Sequence, residues 1–201
     1  VILFSPEDLK IVKSGQSERR KFLDIELSQM ERLYLYQLTN YNKILVQRNN
    51  LLKQIRFQNN LIETLEAWDI QLVKYGSEVI KYREKFIKHL GEVCQKIHNK
   101  LTGGKEKILL EYDRDVGYDS YLTELAKKRQ KDLKYSTTTV GPHRDDISFI
   151  VNGIDIRKYG SQGQQRTAAL SLKLAQIQLM GEVMKESPIL LLDDVLSELD
   201  S

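Results

Sequence analysis

The sequence has little cysteine, little proline and no long apolar run. One cysteine among 201 residues excludes a disulfide framework and suits a reducing compartment. Cys94 falls at a helical core position, which favours packing over a reactive role. No segment approaches the ~18 apolar residues that a membrane span needs, so we expect a cytoplasmic protein without a membrane partner. A length of 201 residues allows one large domain or two small ones, and a content of 41% hydrophobic and 29% charged residues predicts that the protein is globular.

The sequence also lacks the phosphate-binding pattern G-x-x-x-x-G-K-[ST]. Gly104 and Lys105 resemble the end of that pattern. Asn99, however, stands in the place of its first glycine, and Glu106 in the place of its serine or threonine. Without the backbone cradle and its lysine, most of the binding energy for a triphosphate is missing. We therefore expect this polypeptide alone to bind ATP weakly or not at all, and to be inactive as an ATPase.

Two short patterns in the last third carry the strongest chemical signal. The apolar run 189–192 (ILLL) is typical of a strand buried on both faces of a parallel sheet, and Asp193 and Asp194 follow it directly. Side chains at the carboxyl end of such a strand lie where open α/β sheets bind ligands. Paired carboxylates there can hold Mg²⁺ and polarise a water. Upstream, a turn of glycine and serine at 160–163 precedes a helical segment, so its backbone can approach a phosphate at a helix N-terminus.

The segment before these patterns predicts an antiparallel helical hairpin. A helix beginning at Ser17 carries apolar residues at spacings of three and four through residue 55, interrupted once at Arg48. A second stripe covers 65–97, and the polar pair at 59–60 marks the reversal. Packing, rather than a cofactor site, explains the aromatic residues of both stripes.

Acidic residues are absent between Glu31 and Glu63. Four of the basic residues in this stretch are candidates for contacts to a DNA backbone: Lys43, Arg48, Lys53 and Arg56. A solvated helix face without a ligand explains the same pattern equally well.

After the hairpin, the patterns predict strands at 107–112, 136–140 and 147–151, a helix at 119–134, and a type I′ turn at 152–153. Residues 141–146 (GPHRDD) interrupt these strands. There His143 could form an acid–base pair with a neighbouring aspartate, and Arg144 could meet a phosphate. The alternative is a turn whose charges pair among themselves.

Residues 160–164 (GSQGQ) resemble the signature loop of ABC-type ATPases, and 197–200 (SELD) resemble their D-loop. Four longer segments resemble the RecF family of bacterial recombination mediators: 4–9 (FSPEDL), 17–24 (SERRKFLD), 141–146 (GPHRDD) and 192–200 (LDDVLSELD). The resemblance covers essentially the whole chain. Because the chain begins within a strand pattern and stops after the D-loop, we expect a piece of a longer protein that lacks the Walker A segment.

In ABC-type ATPases, two heads enclose two nucleotides, and the signature loop of one faces the Walker A loop of the other. The resemblance implies that four residues act in trans on ATP held by a second copy: Ser161, Gln162, Gly163 and Gln164. It implies Asp193 as the Mg²⁺ ligand and Asp194 at the position of the catalytic base, where most relatives have the longer Glu, so we expect slow hydrolysis. It implies a D-loop at the dimer interface with two contact residues: Ser197 and Asp200. A nucleotide-side or interface role is also implied for the turn's two basic residues: His143 and Arg144.

The resemblance implies an ATPase, active as the full-length protein, that dimerises on ATP and binds duplex DNA near single-strand gaps. RecR and RecO are the implied partners in loading recombinase. The alternative is a non-catalytic scaffold whose helical hairpin docks a partner protein. Another SMC-like head is disfavoured because the hairpin is too short for a long arm.

The predicted fold class is mixed α/β. It combines part of an ABC/SMC-type ATPase head, with a P-loop NTPase-like sheet and helices, and a helical lobe built on the antiparallel α-helical hairpin. The expected division assigns 1–16 to the head, 17–104 to the hairpin lobe, 105–135 to a strand–helix connection of the lobe, and 136–201 to the C-terminal part of the head.

Overall fold

The structure, a computed structural model, describes residues 2–4, 10–184 and 190–192. Its helices are α1 (Gln16–Met30), α2 (Arg32–Ile55), α3 (Leu65–Leu101), α4 (Tyr121–Tyr135), α5 (Ile156–Tyr159) and α6 (Gln162–Met184). Its strands are β1 (Ile2–Phe4), β2 (Ile108–Asp113), β3 (Asp146–Val151), β4 (Ile154–Asp155) and β5 (Leu190–Leu192). Short 3₁₀ turns cover Asn59–Thr64 and Pro142–Arg144. The mixed α/β class is confirmed, and none of the helices described here is long and apolar enough to cross a membrane.

The two short strands at the ends of the chain pair in parallel. Ile2 lies opposite Leu190, and Phe4 lies opposite Leu192. The predicted parallel strand before the twin aspartates is therefore confirmed. The aspartates themselves and the D-loop residues lie outside the described residues: Asp193, Asp194, Ser197 and Asp200.

The second sheet has the order β2–β3–β4. Its last two strands are antiparallel, with Val151 opposite Ile154. Asn152 and Gly153 have φ of 48° and 81°, the positive values that a type I′ hairpin turn needs. The predicted turn is confirmed, as are the strands at 107–112 and 147–151 to within one residue at each end.

The strand predicted at 136–140 is wrong, because this segment is irregular. Side chains take the place of a neighbouring strand. Asn49 accepts a hydrogen bond from the Thr138 N–H at 2.8 Å, and Asp132 accepts one from the Thr139 N–H at 2.9 Å. These bonds join residues far apart in sequence, or depend on a helix C-terminus, so a local pattern of Thr and Val could not reveal them.

The prediction of one continuous helix from Ser17 is also wrong, because the helix is interrupted at Glu31, between α1 and α2. This residue is extended, with φ of −137°, and its carboxylate caps α2 by accepting from the Leu33 N–H at 3.4 Å. Glutamate is not among the preferred N-cap residues, so the sequence carries no clear signal for the break. Further along, α2 and α3 approach closely at Gly76, where an added Cβ would lie 2.6 Å from Tyr121 and 2.9 Å from Tyr41.

The chain divides into two compact units. The helical unit comprises 23–84 and 113–146, and the head unit comprises 1–22, 85–112 and 147–201. This division differs from the predicted one, because it groups the base of the hairpin with the head, and α4 and its following turn with the hairpin. Pairing between distant charged residues, described below, holds α4 to the hairpin, and hydrophobic spacing alone could not show it.

The distal end of the helical unit is closed by an apolar cluster. Its buried members come from α2 and the start of α3: Leu51, Leu52, Ile55 and Leu65. Partly buried residues of the reversal, of α3 and of α4 pack against them: Leu61, Ile62, Trp68 and Leu133. The reversal predicted at 59–60 falls at the start of this closure, where a 3₁₀ turn leads into α3.

Candidate nucleotide-facing loop and basic helical surface

The signature-like loop begins α6 through a reciprocal cap. Ser161 Oγ accepts from the Gln164 N–H at 3.2 Å, and Gln164 Oε1 accepts from the Ser161 N–H at 3.1 Å. This is the capping box that Ser-x-x-Gln spacing favours. The first turn of this 23-residue helix contains no acidic residue. Its exposed N-terminal end therefore presents peptide N–H groups and the positive end of the helix dipole, which fits an anion.

The two glycines of the loop have different roles. At Gly160, an added Cβ would lie 2.6 Å from the Cβ of Ile156, so glycine is required by packing against α5. At Gly163, an added Cβ would meet nothing closer than Ser161 Oγ at 3.9 Å. Ser161, Gln162 and Gly163 are all exposed. The open surface suited to a phosphate is thus on the Gly163 side of the loop.

A chain of hydrogen bonds ties the loop to the end of α3 within the head unit. Gln164 Nε2 donates to Glu106 Oε1 at 2.9 Å, and the other carboxylate oxygen lies 3.2 Å from His98 Nε2. His98 Nδ1 lies 2.9 Å from Ser171 Oγ on α6. Burial lowers the pKa of His98, and Glu106 acts in the opposite direction. The Glu106 carboxylate only accepts, so His98 Nε2 donates to it, and the Ser171 hydroxyl donates to the carbonyl of Thr167 at 2.7 Å.

In the helical unit, His143 uses both ring nitrogens. Its Nε2 lies 3.1 Å from the carbonyl oxygen of Thr138, and its Nδ1 lies 2.6 Å from the hydroxyl of Tyr41. A carbonyl only accepts, so Nε2 carries the proton and Nδ1 accepts from Tyr41. Burial raises the pKa of Tyr41, which keeps that hydroxyl protonated. These contacts give His143 a place in the packing of the helical unit.

The turn around His143 is anchored by a buried arginine of α3. Arg83 donates to the carbonyl of Pro142 at 2.6 Å and to Asp145 at 3.1 Å, and it pairs with Asp24 at 2.7 Å. The turn's charge thus pairs with a distant helix, which sequence reasoning did not find. Arg144 behaves differently: its side chain is 51% exposed and 3.9 Å from Asp115, so it remains available to a ligand.

The DNA-contact role assigned to Arg48 is wrong, because its side chain is fully buried. Its Nε lies 2.6 Å from Asp69, and its Nη1 lies 2.8 Å from Asp132 and 2.8 Å from Thr138 Oγ1. Asp69 also accepts from Arg129 at 2.8 Å. Arg48 interrupts the apolar stripe because it occupies a core position on that stripe, and this spacing was the available signal for its burial.

The other basic candidates, on α2 and at its C-terminal cap, are exposed: Lys43, Lys53 and Arg56. Sequence reasoning missed a second basic surface on α4, although the run KKRQKDLK at 127–134 signals it. Four lysines of this run are exposed: Lys127, Lys128, Lys131 and Lys134. The first, third and fourth are spaced i, i+4 and i+7, so they lie on one face of the helix.

Among the residues that the structure describes, no group of three or more His, Cys, Asp or Glu side chains could hold a metal ion. The predicted Mg²⁺ ligand, Asp193, is not among them. Cys94 is buried, and its burial raises the pKa of the thiol to about 12, which agrees with the predicted packing role.

No family model matches the chain. It is nevertheless similar along its whole length to curated proteins called DNA replication and repair protein RecF. The one from Lachnoclostridium phytofermentans is 56% identical over 200 residues, with 100% of this chain and 56% of the relative covered. The one from Acetivibrio thermocellus is 46% identical over 209 residues, covering 99% of this chain and 57% of the relative. The chain thus spans about half the length of the curated relatives it matches.

Two solved structures of the recombination mediator protein RecF in the RecFOR pathway have the same fold. The RecF-ATP structure has a TM-score of 0.94 and 40% identity, and covers 100% of this chain and 56% of that chain. The RecF-ATPrS structure has a TM-score of 0.92 and 40% identity, and covers 99% and 56%. The whole of this chain therefore corresponds to part of an ATP-associated protein.

Proposed function

We propose, on the premise that this chain belongs to the RecF family, that it supplies one wall of an ATP site shared by two copies and a helical surface that contacts DNA. The whole-length similarity to proteins named for DNA replication and repair supports this function. Since the chain spans about half of those relatives, the activities of the whole protein are part of the proposal.

The exposed, capped start of α6 is the observation that carries the ATP proposal. Ser161 and Gly163 are exposed at the N-terminus of the helix, where the Ser161 hydroxyl accepts from the Gln164 N–H, and such a capped helix N-terminus suits a phosphate. They contact the terminal phosphate of ATP that a second copy holds through its own Walker A segment. Bound Mg²⁺ would supply charge neutralisation at the phosphates, with Asp193 as its ligand. Asp194 orients the attacking water, and the short reach of its side chain favours slow turnover.

A slowly hydrolysing dimer suits a switch better than a motor. ATP closes two copies around DNA, and hydrolysis releases them. The solved relatives are described as mediators in the RecFOR pathway, so we extend to this protein RecR and RecO as partners and recombinase loading at single-strand gaps as the outcome.

Ser161→Arg in the full-length protein tests the ATP proposal. The long cation should block approach of the second copy, so ATP-driven dimer formation measured by analytical ultracentrifugation is lost. Binding of ATP to a single copy is kept, because that binding uses another segment. Gln178→Arg is the control: Gln178 is exposed on the same helix, and the change adds the same charge. Dimer formation by Ser161→Arg equal to that of the control would contradict the proposal.

The exposed lysines of α4, together with Lys53 and Arg56, carry the DNA proposal. Replacing Lys131 and Lys134 with Glu, which reverses their charge, should weaken the binding of duplex DNA whatever its base sequence. The slope of log K against log salt should fall by about 2, since each phosphate contact contributes roughly 0.9. Lys96→Glu changes an exposed lysine of the head unit and should leave both quantities unchanged.

A second candidate function is a scaffold that docks a partner protein. It is favoured by Phe57, which is 88% exposed at the end of α2. If the lysine reversals leave DNA binding and its salt slope unchanged while Phe57→Ser abolishes binding of RecR or RecO, the helical unit is a protein-docking surface.

A further inference from the structure

We propose that Glu106 is a positioning residue for the signature loop: it holds the side-chain amide of Gln164, and through it Ser161, in the orientation that meets the nucleotide of a second copy. This inference rests on the proposed ATP function. It concerns a residue just after the hairpin, more than fifty positions before the loop, that stands out in the sequence only as a mismatch to a phosphate-binding pattern.

The argument begins with the amide of Gln164, both ends of which are engaged. Its oxygen accepts from the Ser161 N–H at 3.1 Å, and its nitrogen donates to Glu106 at 2.9 Å. An amide rotated by half a turn would present its nitrogen to the Ser161 N–H and its oxygen to the carboxylate, and both contacts would become repulsive. Glu106 therefore fixes which way the amide faces, and so keeps the reciprocal cap of α6 closed.

Glu106 is itself held by hydrogen bonds from neighbouring residues. His98, on the last turn of α3, is fully buried and lies 3.2 Å from the second carboxylate oxygen. Thr102 Oγ1 accepts from the Glu106 N–H at 3.4 Å and donates to the His98 carbonyl at 2.9 Å. His98 is held in turn by Ser171 of α6 at 2.9 Å. Hydrogen bonds thus hold both the backbone and the carboxylate of Glu106, which in turn holds the loop through Gln164.

The negative charge of Glu106 favours a role in positioning the loop over a role in binding the nucleotide directly. Glu106 is a carboxylate with a side chain only 20% exposed, and a carboxylate repels a phosphate. Gln164, whose side chain is a neutral amide, lies between Glu106 and the nucleotide-facing surface. The negative charge thus strengthens the hydrogen bond that orients the loop while the loop presents neutral and N–H groups outward.

Four variants of the full-length protein test this. In Glu106→Ala the amide of Gln164 loses its anchor, so the dissociation constant of the ATP-driven dimer should rise about 10-fold, in line with loss of a charge-assisted hydrogen bond, while ATP binding to one copy is unchanged. Gln164→Ala should have a similar effect, and the double variant should be no worse than either single one, because both act through one interaction. Glu106→Gln should restore dimer formation: its oxygen accepts from Gln164, and its nitrogen donates to His98 in the other tautomer.

Glu111→Ala is the matched control, since Glu111 is exposed on β2 in the same unit and the change removes the same charge. Amide hydrogen exchange over the first turn of α6 adds a readout that needs no nucleotide, and Glu106→Ala should accelerate it. The proposal is overturned if Glu106→Ala matches Glu111→Ala in dimer formation and exchange, or if the effects of Glu106→Ala and Gln164→Ala add. If the wild-type protein does not dimerise with ATP, the proposed function fails, and the exchange rates still decide whether Glu106 holds the loop.

Discussion

Replacing Arg48 with methionine should be among the most destabilising single changes in the helical unit. The guanidinium is fully buried between two carboxylates, with Nε 2.6 Å from Asp69 and Nη1 2.8 Å from Asp132. Methionine fills much of the same space but supplies no charge. Removing the arginine leaves a carboxylate on Asp132 that is fully buried and another on Asp69 whose remaining ion-pair partner is Arg129.

The magnitude follows from that uncompensated charge. Breaking a buried ion pair by removing one partner costs about 3–5 kcal/mol. Part of the loss is offset because Asp132 still accepts hydrogen bonds from the backbone and hydroxyl of Thr139, at 2.9 and 2.6 Å. We therefore expect about 3 kcal/mol, at the lower end of that range. Urea unfolding followed by circular dichroism measures this free energy.

Lys53→Met is the control, because Lys53 is exposed on the same helix and a surface change should stay within about 0.5 kcal/mol. The triple change Arg48→Met, Asp69→Asn and Asp132→Asn should recover part of the loss by removing the buried charges. A cost for Arg48→Met below about 1 kcal/mol would refute the reasoning, because it would place the pair in the range of exposed ion pairs.

Three further predictions concern glycine, cysteine and histidine. Gly141→Ala should cost about 2 kcal/mol or more in thermal unfolding, because Gly141 has φ of 136° and an added Cβ would collide with the hydroxyls of Tyr121 and Tyr41; a loss no larger than for an unhindered glycine would contradict this. Cys94 should resist thiol reagents at neutral pH until denaturant is added, since burial raises its pKa to about 12; rapid labelling of the native protein would be the opposite result. Burial lowers the pKa of His98, so the unfolded state takes up a proton first, near pH 6.5, and stability should fall as the pH drops below that value. The fall should be smaller in His98→Gln, and an equal fall would argue against this role.

Local patterns were sufficient where one segment determines its own structure. The Asn152–Gly153 turn and the helix that follows the turn of glycine and serine each follow from a few neighbouring residues, and the apolar run at 189–192 indicates a strand through burial, although its partner β1 lies at the other end of the chain. Periodic apolar residues also predicted the hairpin, because they report which face of a helix is buried. These features share one property: their energy comes from contacts close in sequence or from burial alone.

The features that the sequence did not reveal depend on contacts between residues far apart in the chain. Arg48 was placed on a DNA-binding surface, although its partners lie 21 and 84 positions away and cannot be read from spacing. The irregular segment at 136–140 depends on Asn49, and the division into units depends on the same long-range pairs. Glu106 was missed as part of the candidate site for the same reason, because its partner Gln164 is 58 positions away. A basic residue that interrupts an apolar stripe was the one local sign of such a network.

Mixing two inactive full-length variants tests the central claim, that the signature loop completes the ATP site of a second copy. Asp193→Asn should inactivate the site within its own copy, and Ser161→Ala, which removes the loop hydroxyl without adding a long side chain that would block pairing of the copies, should inactivate the site of the partner. In a mixed dimer one site is intact, so an equimolar mixture should recover roughly a quarter of the wild-type ATP hydrolysis if the copies pair at random in a two-fold dimer. A mixture no more active than its separate components would contradict the account.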